Sequence, residues 1–569
     1  MRTVRVSSVV LMLISFSVLS MPVLASNVQN RTAYKAVLDA LRQSSDVVPA
    51  EIGNNPVANV YNREAIIPPQ CYTRTEGKHN PCYICHQNEL PQRENVMNDG
   101  DLQVAYSFSD VGMTNHWQNL FEDRSRRVNE ISDEDILRWV STDNYSSLAP
   151  RLQEAGFKGW IPDLDNLQLR EQAFDDRGIA RDGSHWVAFN YKPLPSTFWP
   201  TNGSTDDVMI RLPAEYRNDA EGRYSEQVYL ANLSIVEAMI KDVKEISVPE
   251  LDEVRIGRDL DGDGKLASAT VIRKLDRFVG AASELVAPRQ SLYPAGTEFL
   301  HTVRYLGFDE QGRIRPSTRM KEVRYLKKWR QFDKGVYARN YQLEMYEKEA
   351  GHLPSYQYLF DHGLDNGFGW SVQSFLEARD GRLRVSTFEE NLFCMGCHTS
   401  IGSTIDKTFS FARKIDGADG WGYINLHGMP DVPNVGESEG EILTYLRRVG
   451  GGDEFRSNEE MLKRWFKANG DVDVEKVTAA RDVYELITPT RERALQLNKA
   501  YRVLVEDQDF MFGRDATWKP PHNVYHEIDN ETAPTLEAEH IYDWDIRLVW
   551  PQSRQEQVSK RSTTAPLRP

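Results

Sequence analysis

A chain of 569 residues, 40% hydrophobic and 10% aromatic, carries enough apolar side chains for several packed domains and is not a disordered polypeptide. Its formal charge of −16, from 68 basic and 84 acidic residues, argues against nucleic acid and anionic membrane surfaces as partners and favours basic or neutral proteins. The same charge balance says nothing about fold.

The first 25 residues read as a signal peptide. Arg2 and Arg5 supply a positive start, Val9 to Leu19 is an apolar run broken only by serines, and Val23-Leu24-Ala25 is a small-residue cleavage site ahead of Ser26. The run is too short to span a bilayer, no cysteine follows the cleavage site to carry a lipid, and no later stretch reaches about 18 apolar residues. The sequence therefore predicts an exported protein without a membrane span, periplasmic or secreted, from a Gram-negative bacterium; an uncleaved anchor is the alternative. Cleavage leaves 66 basic against 84 acidic residues, hence −18.

Residues 31–42 carry apolar side chains at helical spacing. A proline-bearing loop leads to Cys82-Tyr83-Ile84-Cys85-His86, a pattern that returns as Cys394-Met395-Gly396-Cys397-His398. Cys-x-x-Cys-His is a signature of covalent haem attachment. Positions i, i+3 and i+4 share one helix face, so two thiols can bond one porphyrin edge while the imidazole takes the iron. Asn80-Pro81 reads as a helix start before the first copy, and Thr387 with Glu390 as a capping box before the second, with Ser386 and Glu389 offering the same box one residue earlier. Zinc and redox thiols are the alternatives, but a structural zinc site needs two pairs converging on one metal and a thiol redox pair does not need the histidine. The expected cofactors are two covalent haems, with Cys82, Cys85, His86, Cys394, Cys397 and His398 as attachment and proximal-ligand residues. The fifth cysteine, Cys71, reads as a buried thiol, a distal ligand, a reactive thiol or one half of an intermolecular disulfide.

A helix over 131–140 with Ser132 as N-cap completes an expected first haem module, 26–145. From 146 to 380 the sequence turns strand-rich, with runs at 186–191 and 208–212, one helix at 226–243, and hairpins around Asp309–Gly312 and Asp380–Gly381. Inside it, Asp259-Leu260-Asp261-Gly262-Asp263-Gly264-Lys265 matches the first half of an EF-hand loop. Asp259, Asp261 and Asp263 would offer side-chain oxygens and Lys265 its carbonyl to calcium, though Thr270 stands where a bidentate glutamate belongs. A metal-free turn rich in aspartate and glycine is the other reading. A second module, 381–510, is predicted to hold helices at 437–449, 458–469, 473–487 and 490–506, followed by an extended tail, 511–569. The fold class expected is α+β, with two mostly helical cytochrome c-like modules flanking a β-rich central domain.

The sixth iron position separates carrier from catalyst. Met429, in Gly428-Met429-Pro430, leads for the second haem with His427 as competitor; Met113 and His116 are weaker choices for the first, alongside Met97 and His79. His522 and His526 have metal-ligand spacing in a loop-like setting where zinc is not expected, and His540 has no evident partner. The two motifs, the export signal and the Gly-Met-Pro loop resemble the c-type cytochrome family. That resemblance implies a periplasmic dihaem protein passing electrons between redox partner proteins. The alternative is a dihaem oxidoreductase, similar to the dihaem peroxidases, with catalysis at one open haem; whether the chain is an enzyme stays open. The central domain resembles nothing identified.

Overall fold

The computed structural model describes residues 64–88, 100–103, 108, 112–195, 199–399, 406, 410–451 and 457–551. The signal peptide, the 31–42 helix, Met97 and the end of the tail lie outside them. The architecture is built on one antiparallel sheet. Strands β1 (Val187–Ala188), β2 (Thr205–Arg211), β5 (Glu298–Phe308), β6 (Ile314–Lys328), β9 (Trp370–Glu377), β8 (Leu364–Asp365) and β7 (Gln357–Tyr358) lie side by side in that order. β10 (Leu383–Val385) also pairs with β9, while β3 (Ile246–Asp252) and β4 (Ser268–Ile272) form a separate two-stranded hairpin.

Both faces of the sheet are covered, so its strands bury apolar side chains on both sides and, among them, charged ones such as Asp207, Arg304, Glu322 and Glu377. In register across four strands, Ile210, Phe299, Leu326 and Val372 point to one face. Their immediate neighbours Met209, Leu300 and Tyr325 point to the other, where they meet Leu148 and Leu152 of the 148–154 helix. The long β5–β6 hairpin turns at Gly312, whose φ of 77° suits glycine, and β6 starts at Ile314, directly after the turn.

The helix Glu226–Lys241 starts on a Ser225 cap and is buried on nearly every side. The 133–141 helix is capped by Ser132, as its sequence implies. In the C-terminal third the helices are Glu441–Val449, Glu459–Trp465, Val474–Ala479, Val483–Ile487 and Arg491–Asp507; the expected 473–487 helix breaks where Asp482 caps a new start.

Two helical haem modules flanking a β domain are not what the chain builds. The fold is α+β, organised on the large antiparallel sheet, and residues Val47–Pro569 form one unit. The reason lies in where apolar side chains find partners. Tyr83, inside the first motif, packs against Tyr445 of the 441–449 helix and against Tyr542 and Trp544 of the tail. The second motif ends a helix, Phe388–Met395, that lies on β8 and β9. The tail is woven in, since Thr73 bridges to Val524 and Asn434 to Leu548. Local helices alone would leave these aromatic faces in water.

Candidate functional site

The two Cys-x-x-Cys-His segments reach the same turn from different local structure. In the first, Cys82–Ile84 is a single 3₁₀ turn; in the second, the turn closes an eight-residue α-helix with the Thr387–Glu390 capping box formed. In each, the histidine N–H donates to the carbonyl of the first cysteine, at 2.9 Å for both His86 and His398. The middle residues Tyr83, Ile84, Met395 and Gly396 are buried, whereas Cys82, Cys85, His86, Cys397 and His398 are partly accessible; Cys394 is buried. The residues between the thiols thus anchor each turn in the core, with Cys394 buried beside them and Cys85 packed against it.

Each turn is held from outside its own sequence. Asn80 Oδ1 accepts from the Tyr83 N–H, and its Nδ2 donates to Gln103 Oε1 at 2.8 Å. Gln103 in turn donates to the His86 carbonyl at 2.6 Å and to the Tyr542 carbonyl at 2.8 Å. At the second turn Asn366 donates to the His398 carbonyl at 2.9 Å. Gly396 faces the 66–68 segment so closely that a Cβ there would stand 2.8 Å from the Ile66 carbonyl oxygen and from Pro68 Cγ. Trp117 ties these parts together, donating to the Ile67 carbonyl at 2.7 Å and packing edge-on against Phe393 at 4.9 Å.

Cys71 lies at the junction. Burial raises its thiol well above the ordinary range, and the neighbouring Cys82 and Cys397 raise it further, so it faces one cysteine of each motif. Burial also pushes Cys82 up to about 12, and Cys397 up to about 11 against the pull of the Arg324 guanidinium. These thiols are protonated at neutral pH, the reverse of the lowered values that make redox cysteines reactive. Beside them, burial would raise Glu322, but Arg324 and Arg514 override it and hold the carboxyl down to about 2. Both guanidiniums lie over the Phe393 ring.

The proposed sixth-position residues are placed as follows. Met429 is buried, its carbonyl accepting from the Val483 N–H at 2.8 Å. His427 is exposed and stacks on Tyr484 at 3.9 Å. Met113 is half-buried, its carbonyl bonded by the Ile528 N–H. His116 sits next to Trp117, hence near the second motif; its Nε2 is 2.8 Å from the Met511 carbonyl, and burial lowers it to about 4. Donation from Nε2 to a carbonyl leaves Nδ1 with the lone pair. His526 is engaged with Gln118 Oε1 at 3.1 Å.

The Asp259–Lys265 loop folds as a tight acidic turn. Asp259 accepts from the N–H groups of Gly262 and Gly264, Asp261 from Asp263, and Asp263 from Lys265. Thr270 lies in β4 and offers no twelfth-position carboxylate. Glu253, buried at the start of a short preceding helix, comes close without any signal in the sequence: its oxygens lie within 4.8 Å of those of Asp259 and Asp261. A carboxylate placed six residues before the loop has no recognisable spacing. Lys274 Nζ meets Asp259 at 2.6 Å, so a cation here would compete with that ammonium. Among the described residues, the other trio of potential ligands within 4.8 Å is Glu537, Glu539 and His540; no trio includes a cysteine, which disfavours a closed zinc site.

The model of a family described as “-like lipoprotein” matches residues 55–485. An uncharacterized lipoprotein of Aquifex aeolicus (strain VF5) is 31% identical over 553 residues, covering 85% of this chain and 92% of its own length. No solved structure matches. These findings correct the resemblance to c-type cytochromes: both point to a lipoprotein family, and neither is described as a cytochrome. The electron-carrier role and the dihaem oxidoreductase alternative rested on that resemblance and are withdrawn with it. Five residues fix a donor set, not a fold or an activity. No described helix is long and apolar enough to cross a membrane.

Proposed function

Because the chain belongs to this lipoprotein-like family, we propose that it is an exported protein of the cell envelope that binds haem covalently at its two Cys-x-x-Cys-His turns. Export is supported by the relative's description as a lipoprotein and by the charged, then apolar, N-terminal sequence. The relative's name also speaks of a lipid. Cys71, the first cysteine of the sequence, is half-buried in the folded body, and the reading rests on the two turns.

One observation carries it: two segments 312 residues apart make the same turn, bury the same two middle positions and leave the second cysteine and the histidine of each partly accessible. That donor set fits haem. Each cysteine would add its S–H across a vinyl double bond, its sulfur bonding one vinyl carbon while the proton passes to the other. His86 and His398 would hold the iron, which supplies the metal's chemistry when bound. Asn80, Gln103 and Asn366 fix the backbone on which the imidazoles swing.

The test is production in a host able to mature c-type haem. The intact mass should carry two haem increments, and a denaturing gel should stain for haem. Replacing Cys82 and Cys85 together by alanine, or Cys394 and Cys397 together, should each remove one increment. A colourless protein whose mass matches the bare polypeptide would overturn the reading.

A further inference from the structure

A second site lies away from the motifs, in a cavity of about 180 Å³ between the start of β2, the β5–β6 turn and the loops at 424–427 and 484–488. Two of its buried groups have bonding capacity left over. Asp206 is 7% exposed; its Oδ2 accepts from Tyr191 O–H at 2.6 Å and lies 3.5 Å from His301 Nε2, while its Oδ1 takes no partner among the described residues. Thr488 is 6% exposed and its hydroxyl has no hydrogen-bond partner there either. Buried polar groups are almost always satisfied, so a hydroxyl and a carboxylate oxygen both unspent in one cavity point to a ligand.

The rim supplies the opposite charge. Arg313 is paired with Asp309 at 2.7 Å and Arg170 with Glu171 at 2.8 Å, but Arg315 is exposed and has no ion-pair partner among the described residues. One wall is flat and aromatic, the His427 ring stacked on Tyr484. Tyr484 already accepts the Ile314 N–H at 2.8 Å, which leaves its own hydroxyl proton to donate. The cavity therefore offers a buried anion at one end, a spare cation at the mouth, and an apolar face between.

We propose that this cavity binds a free α-amino acid. The ammonium group would meet Asp206, the carboxylate would meet Arg315 with Thr488 as a further donor, and the side chain would lie against the His427–Tyr484 stack. A simple anion would leave Asp206 Oδ1 without a donor in a buried place, and a simple amine would leave Arg315 idle. The volume suits a molecule of amino-acid size and is below that of a usual drug-sized pocket.

Calorimetric titration of the full-length protein with alanine, serine, aspartate and phenylalanine tests this, with propionate and ethylamine as analogues lacking one charged group. At least one amino acid should bind and neither analogue should. D206N should abolish that binding, and R315A, at an exposed position that does not endanger folding, should weaken it about tenfold or more, the worth of one charged hydrogen bond. T488V, nearly isosteric, should weaken it less. No amino acid binding at millimolar concentration would overturn the proposal. So would propionate binding as tightly as alanine, or an affinity unmoved by R315A.

Discussion

His116 is the residue whose titration can be followed from structure to stability. Burial lowers it from 6.5 to about 4, the hydrogen bond to the Met511 carbonyl offsetting only part of that. The unfolded chain takes up a proton near 6.5 and the folded chain only near 4, so between those values the unfolded state binds more protons. Stability contributed by this group is therefore intact above about pH 6.5 and is lost as pH falls toward 4. The interval, at 1.36 kcal/mol per pH unit, caps the loss at about 3 kcal/mol. In H116Q the amide can still donate to the Met511 carbonyl but cannot titrate. Urea unfolding of both proteins at half-unit steps from pH 7 to 4 should show the native protein losing up to about 3 kcal/mol more than the variant. The His116 ring packs edge-on against Trp117 at 5.9 Å and lies 5.6 Å from the Phe512 ring; parallel profiles would show that it is nonetheless free to protonate in the folded state.

Gly396→Ala should destabilise by about 1–3 kcal/mol, because its Cβ meets a backbone carbonyl that cannot step aside, and should speed alkylation of Cys71 by parting the 66–68 segment from the second turn. Gln103→Ala should cost about 1–3 kcal/mol by leaving Asn80 and the His86 and Tyr542 carbonyls short of partners, measured as a lower urea midpoint with both haem increments retained. Calcium should raise the melting temperature of the native protein, by the equivalent of about 2.7 kcal/mol at a hundredfold excess over its dissociation constant, and leave D259N unmoved. An unchanged melting curve in the native protein would mark the Asp259–Lys265 loop as a metal-free turn.

How much of this was legible beforehand follows from how local each feature is. The Ser132 cap, the Thr387–Glu390 box and the two glycine hairpins are set by residues within a few positions of one another, and they stand where the sequence indicates. The sheet order is another matter. β2 joins β5 across 86 residues that hold a helix and a separate hairpin, and β9 joins β6 across the 334–349 helix; periodicity carries no such information. The division into haem modules failed for the same reason, since Tyr83 is buried by residues 360 and more positions away. Glu253, Asp206 and Thr488 were invisible because isolated acids and hydroxyls have no spacing that marks them.

The motifs show where local reading stops. A 3₁₀ turn and the end of an α-helix have little in common as secondary structure, yet both deliver a histidine N–H to the first cysteine's carbonyl and bury the two residues between the thiols. What repeats is a turn and a donor set, and each copy is held by different long-range neighbours: Gln103, Tyr445 and Trp544 for one, Asn366, Ile66 and Trp117 for the other. Because Trp117 bonds to Ile67 and packs on Phe393, and Cys71 faces both Cys82 and Cys397, the surroundings of one turn are physically continuous with those of the other. Two groups attached at these turns would be carried by a single sheet-based body rather than by two independent modules, and loosening one turn should be felt at the other.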